Sequence, residues 1–253
     1  MNIVVLAKLV PDLVEELVID AQGSALDSTW LRYKLNEQDD HAIEQAILLK
    51  ERHGAHVTVI VPGLDGADDA LFAAAAKGAD RLVKLSAELE QNPSNHSLAQ
   101  TVASLLRDTP PELILTGVQA HNDLDGAVGA LLAGLLDAPY VGYVAGVRLN
   151  GGNAVVRKEY PGGLIAELEV TLPAVLGIQA AERPPSYIAF SKIRQAMKTA
   201  TIEELPASAL APLSVEGLKM FKPETGARAT LLEGSPEQVA EQLVEIFHRA
   251  GVL

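Results

Sequence analysis

Four short apolar runs in the first half of the chain are each followed by a stretch of helical period. This alternation narrows the folds open to the chain more than any other feature. Residues 3–9, 57–61, 81–85 and 113–116 read as strands. After the first, Asn36 stands where a helix cap is favoured. Ala42, Ile43, Ala46, Ile47 and Leu49 follow it as an apolar stripe, and Gly54 is the stop. A small-residue helix over 68–77 ends at Gly78, and Ser94 or Asn95 caps a helix over 98–106. Residues 127–136 continue the series after the fourth strand. Strands joined in this way run parallel, because each crossover carries a helix onto a face of the sheet. Ligands of such sheets sit outside the carboxyl ends of the strands. Three of those ends are Leu6-Ala7-Lys8, Pro62-Gly63 and Gly117-Val118-Gln119, and the helix start at Asn36 joins them.

The pattern then changes. Residues 155–160, 164–172 and 174–179 read as strands, parted by turns at Pro161-Gly162-Gly163 and at Pro173; the first two form a hairpin. Beyond Arg183-Pro184-Pro185 the periodicity is lost until about residue 235, which reads as an arm that packs on something else. Ser235-Pro236-Glu237-Gln238 has the form of a capping box with proline in the first turn. The helix it opens runs to about 249, with Val239, Leu243, Ile246 and Phe247 on one face.

Several classes of function are disfavoured at once. A net charge of −13 repels phosphate backbones, so nucleic acid is not an expected partner. There is no cysteine, hence no disulfide, thiolate metal site or cysteine nucleophile. The longest uncharged apolar stretch, 126–136, falls short of the ~18 residues a membrane span needs. The amino-terminal run is cut by Lys8 and reads as a strand, not a signal peptide, so a soluble, cytoplasmic protein is expected. None of the six histidines stands in a triad or H-E-x-x-H pattern. Leu6-Ala7-Lys8-Leu9-Val10-Pro11 lacks the G-x-G-x-x-G of a nicotinamide dehydrogenase.

The loop after the fourth strand, GVQAHNDLDGAVG over 117–129, is the richest candidate. It matches neither G-x-G-x-x-G nor the P-loop. Amide groups at the start of the following helix, together with its dipole, would favour a phosphate. Gly126 and Gly129 would let a ligand approach the backbone. An ordinary polar loop explains the same residues, and spacing alone leaves both readings open. His121, Asp123 and Asp125 match no defined metal-ligand spacing. Asn36-Glu37-Gln38-Asp39 is either a simple cap or a cap whose free groups reach a ligand. The segment YIAFSKIRQAMK, 187–198, is an amphipathic surface stretch or a docking element. In the second case Phe190 is the apolar anchor, flanked by Lys192, Arg194 and Lys198.

Four stretches, taken in order, carry a family resemblance. One is Val156-Arg157-Lys158-Glu159 with Gly162-Gly163-Leu164 and Leu172-Pro173-Ala174-Val175. The others are Asn36 leading into Ala42-x-Glu44-x-Ala46 and Leu49-Lys50-Glu51, then Lys77-Gly78-Ala79-Asp80-Arg81, then Gly117-x-Gln119-Ala120. Together they resemble the beta subunit family of electron transfer flavoproteins, over nearly the whole chain. The resemblance implies an α/β fold: a parallel-sheet nucleotide-binding domain of the adenine nucleotide hydrolase type, with a β-hairpin and an extended C-terminal arm ending in a helix. The core domain would be 1–183, and the partner-recognition loop and arm 184–253.

The resemblance also implies a role. The chain would pair with an alpha subunit, share an FAD held mainly by that subunit, and keep a structural AMP of its own. The pair would carry electrons from flavin dehydrogenases, often acyl-CoA dehydrogenases, to a quinone oxidoreductase. Redox chemistry would belong to the flavin, so the chain is expected to be a carrier subunit and not an enzyme. The expected location is cytoplasmic, or the mitochondrial matrix in a eukaryote. AMP contacts carry over onto Leu6, Ala7, Asn36, Gln38, Asp39, Pro62, Gly63, Gly117, Gln119, Ala120, Asn122, Asp123, Gly126, Ala127, Val128 and Gly129. Tyr187, Phe190 and Ile193 fall in the family's dehydrogenase-recognition loop. Asn122 and Leu124 stand where the family commonly has aspartate. A second FAD in this pocket, as in bifurcating relatives, is the alternative ligand. A stand-alone adenine-nucleotide module of the stress-protein type is the alternative architecture, although the tail from 184 to 253 argues against it.

Overall fold

The computed structural model describes residues 1–86, 94–123, 127–206, 219–223, 226 and 229–252. The chain divides into two compact units, Met1–Leu218 and Lys219–Leu253. In chain order the first holds β1 (Asn2–Leu6), β2 (Leu9–Pro11), β3 (Tyr33–Leu35), α1 (Glu37–His53), β4 (His56–Pro62), α2 (Ala67–Lys77) and β5 (Arg81–Ser86). Next come α3 (Asn95–Leu106), β6 (Leu113–Gly117), α4 (Val128–Leu136), β7 (Tyr140–Asn150), β8 (Asn153–Tyr160) and β9 (Leu164–Thr171). The unit ends with β10 (Ala174–Ile178), α5 (Phe190–Thr199) and β11 (Ile202–Pro206).

Nine of these strands form one sheet, in the order β11-β5-β4-β1-β6-β10-β7-β8-β9. From β11 to β7 the pairings are parallel; β8 and β9 add an antiparallel hairpin. The central strands are buried on both faces, which is why NIVVL, LILTG and AVLGI are nearly continuous apolar runs. Side chains alternate between two cores. Ile3 and Val5 pack with Ile43, Leu49 and Leu71 of α1 and α2. Val4 and Leu6 pack with Leu98, Val102 and Leu132 of α3 and α4. Burying one such leucine or isoleucine contributes about 1.5–3 kcal/mol.

The expected strands and helices of the first half are all present, with ends that differ by a few residues. The first strand is split: β1 stops at Leu6 and β2 begins at Leu9, because the Lys8 amide turns to a side chain, Asp39. Four elements go beyond the sequence reading: β3, just before Asn36, and β7, α5 and β11. β7 contains Gly142 and Gly146, and Tyr143 has a positive φ of 59°, so no period of two marks it. α5 and β11 lie in the segment read as aperiodic. β11 is IEELP, too acidic to look like a strand; it joins the sheet because β5 is basic. Arg81 Nε donates to Glu203 at 2.8 Å, and Lys84 pairs with Glu204 at 2.7 Å.

The second unit contains α6 (Pro236–Arg249). Its capping box is complete: Gln238 N donates to Ser235 Oγ, and Ser235 N donates to Gln238 Oε1. Val239, Leu243, Ile246 and Phe247 form its apolar stripe, and none of its residues is fully buried.

Candidate functional site

The chain winds from β1 through β4 to β5, then returns to place β6 on the other side of β1. The direction of winding therefore reverses between β1 and β6, where an open α/β sheet forms its crevice. The first turn of α1 closes on this point. Gly117 is what allows it: a Cβ there would lie 2.7 Å from Asp39 Oδ1 and 2.8 Å from Asp39 N.

Asp39 is 1% exposed and holds the crevice together. It accepts hydrogen bonds from Lys8 N at 3.0 Å, Asn36 Nδ2 at 3.0 Å and Gly117 N at 2.6 Å. Burial pushes its carboxyl above the ordinary value, while the Lys8 charge and these donors pull the other way. Asn36 stands at the helix start but makes no side-chain cap bond. Its amide instead spans Asp39 and the carbonyl of Gln119, the latter at 2.9 Å. Gln119 N donates to Gln38 Oε1 at 3.0 Å.

A second cluster adjoins the first. Lys8 is an isolated cation in an apolar stretch, and its side chain is 11% exposed. Its Nζ donates to Asn95 Oδ1 at 3.1 Å and pairs with Asp123. Asp123 also accepts from Asn95 Nδ2 and Ala120 N, both at 2.8 Å. The loop is thus tied to the link between β1 and β2, to α1 and to α3 at once.

Of the residues expected at the site, the structure gathers Asn36, Gln38, Asp39, Gly117, Gln119, Ala120 and Asp123 into these two clusters. Leu6 and Ala7 are fully buried, and Ala7 N is spent on the Ile60 carbonyl. Pro62 is buried, and Gly63 N donates to Leu85 O. Asn122 is half-buried. Gly126, with Leu124 and Asp125, lies outside the described residues. Ala127 caps α4, and Val128 is buried against the α3–α4 core. Gly129 is packed tightly on one side: a Cβ there would meet Thr116 Oγ1 at 2.6 Å and Tyr140 Cε2 at 3.2 Å. His121 is exposed. Sequence reasoning passed over Lys8 and Asn95 as site residues. The signal for Lys8 was there, a single charge interrupting an apolar strand end.

Comparison with known proteins bears on what this crevice serves. The electron transfer flavoprotein domain model matches residues 26–210. Two curated relatives, each named electron transfer flavoprotein subunit beta, match along nearly the whole chain. That of Methylophilus methylotrophus is 30% identical, with 98% of each chain covered. That of Bacillus subtilis (strain 168) is 31% identical, with 98% of this chain and 97% of the relative covered. The chain belongs to the electron transfer flavoprotein beta subunit family. Its role is electron transfer. Among the described residues, no helix is long and apolar enough to cross a membrane.

As an electron transfer flavoprotein beta chain, it uses most of its motif residues as scaffold. Gly78, at φ 121°, ends α2, and its carbonyl accepts from Lys50 Nζ at 2.8 Å. Asp80 accepts from Lys50 Nζ at 2.5 Å and from Val57 N at 2.9 Å. Burial alone would raise the Asp80 carboxyl, but Lys50 and the Val57 amide hold it below its ordinary value. Glu44, 1% exposed, anchors the segment that leads to α5. It accepts from Arg183 Nε at 2.6 Å, Ser186 N at 2.9 Å and Ser186 Oγ at 2.8 Å. Beyond that anchor, Tyr187 is 92% and Phe190 64% exposed, while Ile193 is half-buried. The Arg194 guanidinium lies 4.8 Å from the centre of the Phe190 ring.

Proposed function

We propose that this chain works as the beta subunit of a heterodimer with an electron transfer flavoprotein alpha subunit, and that the pair shuttles electrons between flavin dehydrogenases and a quinone oxidoreductase. The observation that carries the reading is the ordered match along the chain to proteins named electron transfer flavoprotein subunit beta. In this reading residues 1–183 form the nucleotide-binding core and 184–253 the partner-recognition segment.

The core holds an AMP at the reversal between β1 and β6. The residues there fit an adenine nucleotide of structural role: a polar, preorganised loop backed by glycine, with no nucleophile or acid–base pair evident among the described residues. The amides of Gly117, Gln119 and Ala120 are already taken by Asp39, Gln38 and Asp123. A phosphate therefore meets the first turn of α4, whose amides have no partner within the helix. The FAD is shared with the alpha subunit and, when bound, supplies the one- and two-electron chemistry. Tyr187 and Phe190, exposed beyond the Glu44 anchor, together with Ile193, dock the dehydrogenase.

Co-expression with an alpha subunit should yield a yellow heterodimer. Denaturing it and quantifying the released nucleotides should give one FAD and one AMP per pair. Two FAD and no AMP would replace AMP by a second flavin, the bifurcating arrangement. A chain that stays apart from the alpha subunit and carries no flavin would sink the proposal.

A further inference from the structure

Helix α5 reverses the sign of the molecule. The chain has a net charge of −13, yet FSKIRQAMKT carries Lys192, Arg194 and Lys198 and no carboxylate. Elsewhere arginine charge is spent within the fold: Arg32, Arg52, Arg81, Arg148, Arg157 and Arg183 each pair with a carboxylate. Arg194 pairs with none among the described residues. Its guanidinium lies over the Phe190 ring instead, 4.8 Å from the ring centre.

That placement follows from the helix. Phe190 opens α5 and Arg194 stands four residues on, so the two share a face. The ring is 64% exposed, and Arg194 is exposed as well. A ring so little packed would otherwise have to be ordered at the moment of docking; the contact with Arg194 orders it beforehand. A guanidinium that covers an aromatic face keeps its N–H groups for an acceptor, and their planar fork matches a carboxylate. The support is rigid on both sides. Upstream, Ser186 is held by Glu44. On α5 itself Ala196 is buried, and β11 beyond it joins the central sheet.

We infer that Arg194 docks jointly with Phe190: the ring enters an apolar pocket of the dehydrogenase, and the guanidinium takes an aspartate or glutamate at the rim of that pocket. The inference rests on the docking role proposed above for Phe190 and adds the chemistry that the partner must present. A lysine at 194 would keep the charge but lose both the planar fork and the contact over the ring. Arg194 is therefore a positioning and specificity residue, and the electron transfer itself does not pass through it.

The test uses the heterodimer and the flavin dehydrogenase of the same organism that reduces it, followed by stopped-flow absorbance of the flavin. Arg194→Gln should lower the second-order rate constant about tenfold and flatten its dependence on ionic strength. The limiting rate at saturating partner should stay at the wild-type value. Arg194→Lys should restore the salt dependence but remain about threefold slow. The double variant with Phe190→Ala should be little slower than Phe190→Ala alone, because the two side chains act as a unit. Arg194 is exposed, so thermal midpoints should stay within about 1 °C of wild type. Arg194→Gln at the wild-type rate, Arg194→Lys equal to wild type, or strictly additive effects would each overturn the inference, while a slow Phe190→Ala variant would leave the docking reading standing. If neither single variant is slowed, or no dehydrogenase reduces the wild-type heterodimer, that reading falls together with the inference.

Discussion

Replacing Asp123 by asparagine isolates the charge of the Lys8–Asp123 pair with almost no change of shape. The side chains are 11% and 14% exposed, so the pair is an interior one. Asp123 Oδ1 faces two donors, Lys8 Nζ and Asn95 Nδ2, and Oδ2 faces a third, Ala120 N. An amide in this place must turn its own NH2 against a donor, whichever way it flips. Removing one partner of a buried pair costs about 3–5 kcal/mol, and the residual solvent access here lowers the expectation to about 2–4 kcal/mol. Lys8→Met leaves Asp123 with its other donors and should cost less. The double variant should be more stable than the sum of the single effects predicts, with a coupling of about 1–3 kcal/mol. Urea unfolding should be followed by far-UV circular dichroism, because the single tryptophan, Trp30, is 86% exposed and reports poorly on the core. A loss below about 0.5 kcal/mol for Asp123→Asn, or strictly additive single effects, would refute the view that this pair is buried and interdependent.

Three further outcomes are expected. Gly117→Ala drives a methyl group into backbone atoms of α1, 2.8 Å from Asp39 N and 2.9 Å from Gln38 C, and should cost about 1–3 kcal/mol in urea unfolding. Glu44 has its carboxyl below the ordinary value: burial opposes this, but Ser186 and Arg183 outweigh it. Its contribution is therefore present above the unfolded value of about 4.3 and is lost as pH falls through the folded value. The stability gap between wild type and Glu44→Gln should close in acid, and a gap independent of pH would remove the charge from the account. Phe190→Ala should slow reduction by a partner dehydrogenase while leaving the thermal midpoint within about 1 °C of wild type, because the ring is 64% exposed. An unchanged rate in stopped-flow reduction would take Phe190 out of the docking surface.

The parallel sheet was legible because strands buried on both faces must be apolar throughout, and Ile3, Val57 and Leu113 open such runs. The capping box at Ser235 was legible because it is a purely local contact. What sequence missed is non-local in each case. β11 is stabilised by ion pairs to Arg81 and Lys84 across more than a hundred residues, so its own composition carries no strand signal. β7 is interrupted by two glycines: Gly142 makes room for Tyr140, and Gly146 for Glu182, a neighbour that only the folded chain provides. Gly117 and Gly129 look alike in the loop, but the first admits α1 and the second packs α4 against Thr116 and Tyr140. Lys8 could be seen as an anomaly, though its partners Asn95 and Asp123 converge only once α3 and the loop are in place.

The position of β10 has a consequence for how the chain reaches this state. It inserts between β6 and β7, both of which precede it in sequence, and pairs in parallel with each. Until residue 178 has left the ribosome, those two strands have no neighbour between them, and the sheet exists at best as two open-edged halves. The hairpin of β8 and β9 can form early, since its pairings are local, but it cannot be joined to the β1–β6 half without the strand that follows it. Such late, long-range closure favours slow folding. Chains truncated before β10 would expose two apolar edges at the centre of the molecule, where self-association is most readily seeded. Synthesis of the last central strand, more than of any helix, is then the step that turns a sticky intermediate length of chain into a finished subunit.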